Sequence, residues 1–157
     1  MGLKNRHRLK DKDVESHYQE LKAKLGDSPF EPLEGVDIAD HDGNKILLVD
    51  QRPLATFFNG EVFPTMNGLL NMNATKRYIT VDMGAVKFVY NGADIMAPGI
   101  VDADESIEEG DLVWVRDVEH EKPLAVGRAM TNGKEMVQSE KGKVVKSLHH
   151  IGDEMFD

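Results

Sequence analysis

His149 and His150, followed by Asp153, come nearest in this 157-residue chain to a set that could do acid–base or metal chemistry. Imidazole titrates near neutrality and ligates transition metals, and a carboxylate can complete such a site. Adjacent residues on a strand point to opposite faces, so one histidine at most can join Asp153. A structural pair is the plainer reading. The second segment with chemical content is Gly84–Gly99, GAVKFVYNGADIMAPG. Its β-branched and aromatic run Ala85–Tyr90 predicts a strand, then a turn at Asn91-Gly92, one helical turn over 93–96 and a stop at Pro98-Gly99. Small residues at Gly92, Ala93, Ala97 and Gly99 would let peptide N–H groups approach a ligand, so phosphate or ribose oxygens could be held without dense positive charge. Lys87 would add one charge nearby. The plain alternative is a tight corner that uses glycine for sterics alone.

Other chemistries find little support. The chain has no cysteine, which removes disulfides, thiolate catalysis and Cys-ligated metals together. Its glycines form neither a dinucleotide fingerprint nor a phosphate-binding loop ending in Gly-Lys-Ser/Thr. The acidic run Asp102–Asp111 lacks the spaced ligands and central glycine of a calcium loop, and is expected to be a solvated loop beside a turn. The expectation is a protein that is not an enzyme and needs no cofactor or metal.

Charge is distributed in blocks. The net charge is -9, which weighs against a protein that coats nucleic acid nonspecifically. Lys4, Arg6, Arg8, Lys10 and Lys12 nevertheless crowd the start, acids dominate 102–121, and bases return over 122–150. A basic face can therefore exist on an acidic chain. The basic start could track a phosphate backbone or solubilise the beginning of a helix. It also lacks the apolar segment of a secretory signal, and a cytosolic protein is expected. The eight methionines are expected to fill the core.

The elements that must position these residues fall into two groups. Val14, Tyr18, Leu21 and Leu25 recur at helical spacing and stop at Gly26, and Pro29 and Pro32 then stiffen an extended connector. A hairpin is expected over 36–49 about Gly43, further short strands at 54–58 and 62–63, and a short helix over 64–70. Past Thr75 the texture is β: Tyr78–Val81, Leu112–Val115, Pro123–Ala129 and Gly142–Leu148, separated by glycine-rich turns such as Glu109–Asp111. The expectation is an α+β domain at 1–75 and a small all-β barrel at 76–153. Within the barrel Trp114 should be core, and Arg116 a solvated ion pair or a phosphate contact.

The string TVDMGAVKFVYNGADIMAPGI at 80–100 resembles the opening of the PUA domain as found in the archaeal and eukaryotic translation-associated proteins related to MCT-1. GDLVWV at 110–115, PLAVGRA at 123–129 and KGKVVKSLHHIGDE at 141–154 are similar to its later strands, and FPTMNGLL at 63–70 resembles the end of the domain that precedes PUA in that family. The resemblance implies a PUA pseudobarrel behind an α+β domain. It also implies an RNA-binding protein of the translation apparatus that recognises tRNA or small-subunit rRNA. The RNA face it implies comprises Lys87, Asn91, Gly92, Ala93, Asp94, Met96, Ala97, Pro98, Gly99, Lys146, His149 and His150, and Tyr90, at the end of the expected strand beside Asn91-Gly92, is placed to meet a base. Neither DNA nor membrane is implied. A protein adaptor for a ribosomal protein or initiation-factor-like partner, and an accessory subunit of an RNA-modifying enzyme, are the alternatives.

Overall fold

The computed structural model describes residues 2–156. They divide into two compact units, one running to Thr75 and including Phe156, the other Lys76–Met155. Among the described residues no helix is long and apolar enough to cross a membrane.

The first unit contains β1 (Lys4–Arg8), α1 (Asp11–Leu25), β2 (Asp37–His41), β3 (Asn44–Val49), β4 (Arg52–Phe58), β5 (Glu61–Pro64) and α2 (Met66–Leu70). Its strands form one antiparallel sheet in the order β1-β2-β3-β4-β5. α1 turns the predicted stripe inward, burying Val14, Leu21 and Leu25, and closes on Gly26 at φ +81, whose N–H donates to the Lys22 carbonyl. Burying each of those leucines contributes about 2 kcal/mol. In the β2–β3 hairpin His41 faces Asn44, leaving Asp42 and Gly43 with positive φ in the two-residue turn. That geometry matches the right-handed twist of the strands it joins.

The basic N-terminal block differs from expectation, since Lys4–Arg8 is an edge strand paired to β2. Arg6 Nε and Arg8 Nε each donate to Asp37 at 2.8 Å, one to each carboxylate oxygen. Their charge is spent inside the unit. Those two guanidinium groups hold the Asp37 carboxyl below the usual range.

The second unit contains β6 (Tyr78–Val81), α3 (Met83–Tyr90), β7 (Ile95–Met96), a 3-10 turn (Ala97–Gly99), β8 (Ile100–Ala103), β9 (Leu112–Asp117), β10 (Pro123–Ala129), α4 (Gly133–Gln138) and β11 (Lys143–His150). The strands run in the order β7-β11-β10-β9-β6-β8, antiparallel except for the parallel pair β6 and β9. They wrap a mostly β pseudobarrel around Ile79, Val81, Val113, Val115, Leu124 and Val145.

Ala85–Tyr90 is helix, although its residues favour strands. Asp82 caps it by accepting from the Ala85 N–H at 2.9 Å, and Ala85, Val86 and Val89 then fall on the face toward the core. The helical turn expected at 93–96 lies instead at Ala97–Gly99, while Ile95 and Met96 pair with β11. The run 102–111 is more than a solvated loop: Ile107 is buried, and the Asp104 carboxylate accepts from the Arg77 and Ser106 N–H groups. Among the described residues only Met66 and Met136 of the methionines are buried, whereas Met83, Met96 and Met130 are exposed. Trp114 is buried and donates from Nε1 to the Lys76 carbonyl. Arg116 stacks on the Tyr78 ring at 4.0 Å and pairs with Glu121 at 3.2 Å.

Candidate nucleic-acid interface

β6 delivers the chain to Asp82, whose side chain starts α3 and whose N–H donates to the Gly99 carbonyl at 2.9 Å. That bond closes the segment 82–99 into a loop-and-helix module on one side of the barrel. Between α3, the turn Ala93–Gly99 and the start of β11 lies an open cavity of about 620 Å³ with a mostly apolar wall. Its floor is made of small residues: a Cβ on Gly99 would sit 3.2 Å from that of Ala85. Phe88, Met96 and Lys143 stand around it, with Phe88 56% and Met96 46% exposed. Exposed apolar side chains beside small residues and a cation suit a flat ring with a phosphate attached.

Asp94 sets the electrostatics of the rim. Its Oδ1 accepts from the Ser147 N–H at 2.9 Å, and its Oδ2 lies 3.4 Å from Lys143 Nζ and 3.7 Å from Lys146 Nζ. The Ser147 N–H, aided by the two lysines, holds this carboxyl below the usual range despite its partial burial. Two ammonium groups against one carboxylate leave the cluster positive, and both lysines are well exposed with N–H donors to spare. Lys87 stands on α3 with its Nζ 5.2 Å from the centre of the Phe88 ring.

The amides of the corner are not available as the sequence suggested. Asn91, Gly92 and Ala93 donate to the carbonyls of Phe88, Val89 and Phe88, and Ala97 donates to Gly142. A helix end leaves carbonyls without partners, and a following tight turn satisfies them with the next N–H groups. The donors left open by helix geometry stand at the other end of α3, at Met83 and Gly84.

The cavity brings together Ala93, Asp94, Met96, Pro98 and Gly99 of the expected residues. Lys87, Tyr90, Asn91 and Lys146 are exposed outside its wall, and Gly92 and His150 are half-buried. Ala97 and His149 are buried, so neither side chain faces solvent. His149 Nδ1 donates to Asp153 Oδ2 at 2.8 Å. Burial pushes the His149 imidazole below its usual range, against the pull of that carboxylate. Burial pushes the Asp153 carboxyl up, but N–H groups from His150, His149 and Met155 outweigh it and hold the group low. The pair is a structural clamp. No group of three or more potential metal ligands is assembled among the described residues. Phe88, Lys143 and Gly84 were missed because Phe88 reads as a strand residue, and its exposure follows only once Asp82 is recognised as a helix cap.

A six-stranded pseudobarrel with a helix and a glycine-containing corner inserted after its first strand and a closing final strand is the architecture of a PUA domain. The family model for the PUA domain matches residues 77–151, and that for a domain of unknown function, DUF1947, matches residues 5–72. An uncharacterized protein of Methanocaldococcus jannaschii is 45% identical over 100% of this chain and 98% of its own length. A hypothetical protein of the hyperthermophilic archaeon Pyrococcus horikoshii superposes with a TM-score of 0.85 at 35% identity, covering 96% of this chain and 97% of that one. Translation machinery-associated protein 20 of Schizosaccharomyces pombe is 31% identical over 63% of this chain and 57% of its own, so this chain spans little more than half of it. The chain belongs to the PUA-domain family of archaeal and eukaryotic MCT-1-like, translation-associated proteins.

Proposed function

We propose that this chain is a cytosolic, non-enzymatic RNA-binding protein of the translation apparatus that recognises tRNA or small-subunit rRNA through the α3–β11 face of its PUA domain. The observation that carries this reading is the cavity of about 620 Å³, walled by Phe88 and Met96 and rimmed by Lys143. Such a wall accepts an unstacked base or a chain end, and the lysine rim accepts its phosphates. Asp94, by engaging Lys143 and Lys146, fixes their ammonium groups at the rim. Lys87 and Tyr90 extend the contact along α3. Because recognition rests on shape and a few charges, an acidic protein can carry it.

The test is ultraviolet crosslinking in native lysate with sequencing of the attached RNA. The expected reads are tRNA or small-subunit rRNA, with the crosslinked peptide containing Phe88 or Tyr90. Absence of RNA above background overturns the reading, and crosslinks confined to residues before Thr75 overturn the site.

A further inference from the structure

We infer that His150 reads a hydrogen-bond donor on the bound RNA, a ribose hydroxyl or an exocyclic base amino group, with its Nε2 as the acceptor. The inference rests on the RNA-binding reading above and deepens it.

The tautomer follows from geometry. His150 Nδ1 lies 3.0 Å from the carbonyl oxygen of Ile151. A carbonyl can only accept, so in the neutral ring Nδ1 carries the proton and Nε2 keeps its lone pair. The backbone beneath is held as well, since the His150 N–H donates to Asp153 Oδ2 at 2.7 Å and the residue pairs with Ala125 of β10. The imidazole therefore presents a fixed edge.

That edge lies at the corner after α3. A methyl group on Gly92 would sit 2.9 Å from Nε2 and 3.2 Å from Cδ2, so the ring rests where a side chain at Gly92 would stand. Gly92 also has φ +82, a conformation that glycine adopts without strain. Gly92 lies in the chain between Tyr90, which is 41% exposed, and Ala93, which lines the cavity, so Nε2 packs on the corner that leads into it. His150 is only half-buried, and among the described residues its Nε2 has no hydrogen-bond partner.

The charged rim of the face supplies mainly donors. Lys87, Lys143 and Lys146 can only donate, and the Asp94 carboxylate is engaged by two lysines and the Ser147 N–H. Phosphate is met by those donors, whereas a hydroxyl or amino proton needs an acceptor. His150 Nε2 is placed to be one. Where the donor is a 2′-hydroxyl, this contact separates RNA from DNA.

The test uses the full chain and three short single strands of one sequence: an oligoribonucleotide of guanosine and uridine only, so that guanine carries its sole exocyclic amino groups, its 2′-deoxy counterpart, and its inosine counterpart lacking the guanine amino group. Affinities are read by fluorescence polarisation. His150→Phe keeps a ring against Gly92 and removes both nitrogens, and should weaken the oligoribonucleotide about fivefold, the worth of one ordinary hydrogen bond. If the donor is a ribose hydroxyl, the deoxy strand is unaffected by the substitution. If it is a base amino group, the inosine strand is unaffected. His150→Gln retains an acceptor oxygen and should recover part of the discrimination, and it carries the test if His150→Phe lowers the melting temperature. Equal loss on all three strands, or no loss on any, overturns the assignment while leaving the RNA-binding reading standing. Failure of the wild-type chain to bind any strand overturns both.

Discussion

Replacing Lys143 and Lys146 together by alanine tests the electrostatics of the rim directly. Each ammonium touches Asp94 on one side, at 3.4 and 3.7 Å, and is otherwise open to solvent, with 59% and 63% of its side chain exposed. Each can therefore meet one phosphate without leaving its place. For single strands a phosphate contact adds about 0.7 to the slope of log affinity against log salt, so the double variant should lose about 1.4 from that slope. At about 0.1 M salt the same figure corresponds to a loss of roughly 25-fold in affinity. The fold should be little affected, because exposed ion pairs contribute about 0–1 kcal/mol. Polarisation titrations of a tRNA at four salt concentrations, with a thermal melt of each protein, measure both quantities. An unchanged slope would refute the reasoning, since it would mean that neither lysine meets a phosphate. A loss of affinity that does not vary with salt would refute it too.

Two further outcomes concern the scaffold. In Gly127→Ala the new Cβ would stand 2.5 Å from Val145 Cγ1 and 2.6 Å from the Lys146 carbonyl, inside the β10–β11 ladder, so denaturant midpoints should report a destabilisation of about 1–3 kcal/mol. A variant as stable as wild type would show that β11 can move aside. Because burial holds the His149 pKa down in the folded chain, the unfolded chain binds more protons below about pH 6.5, and stability should fall as pH drops from there toward the folded value. Asp153 stays ionised in that window, its carboxyl being held low. Urea midpoints between about pH 7.5 and 5 should slope in the wild type and flatten in His149→Gln, and parallel slopes would remove His149 as the cause.

Much of this protein is legible in its residues one element at a time. The stripe Val14, Tyr18, Leu21, Leu25 with Gly26 after it can only be a helix with one buried face, and α1 ends where that glycine stands. The Asp42-Gly43 and Asn59-Gly60 pairs mark two-residue hairpins because both positions need positive φ. The strings at 80–100 and 141–154 carry the family, and with it the fold of the second unit. Local propensity failed at Val86–Tyr90, where β-branched and aromatic residues form α3 because Asp82 caps it and the barrel takes up Val86 and Val89. What only tertiary structure decided is who partners whom across distance. Arg6 and Arg8 are spent on Asp37, the Gly92–Ala93 amides on the end of α3, and His149 on Asp153, while Lys143 and Lys146 meet at Asp94 and His150 comes to rest on Gly92. Composition lists donors and acceptors without saying which are consumed, and a binding face consists of those left over once the fold has satisfied the rest.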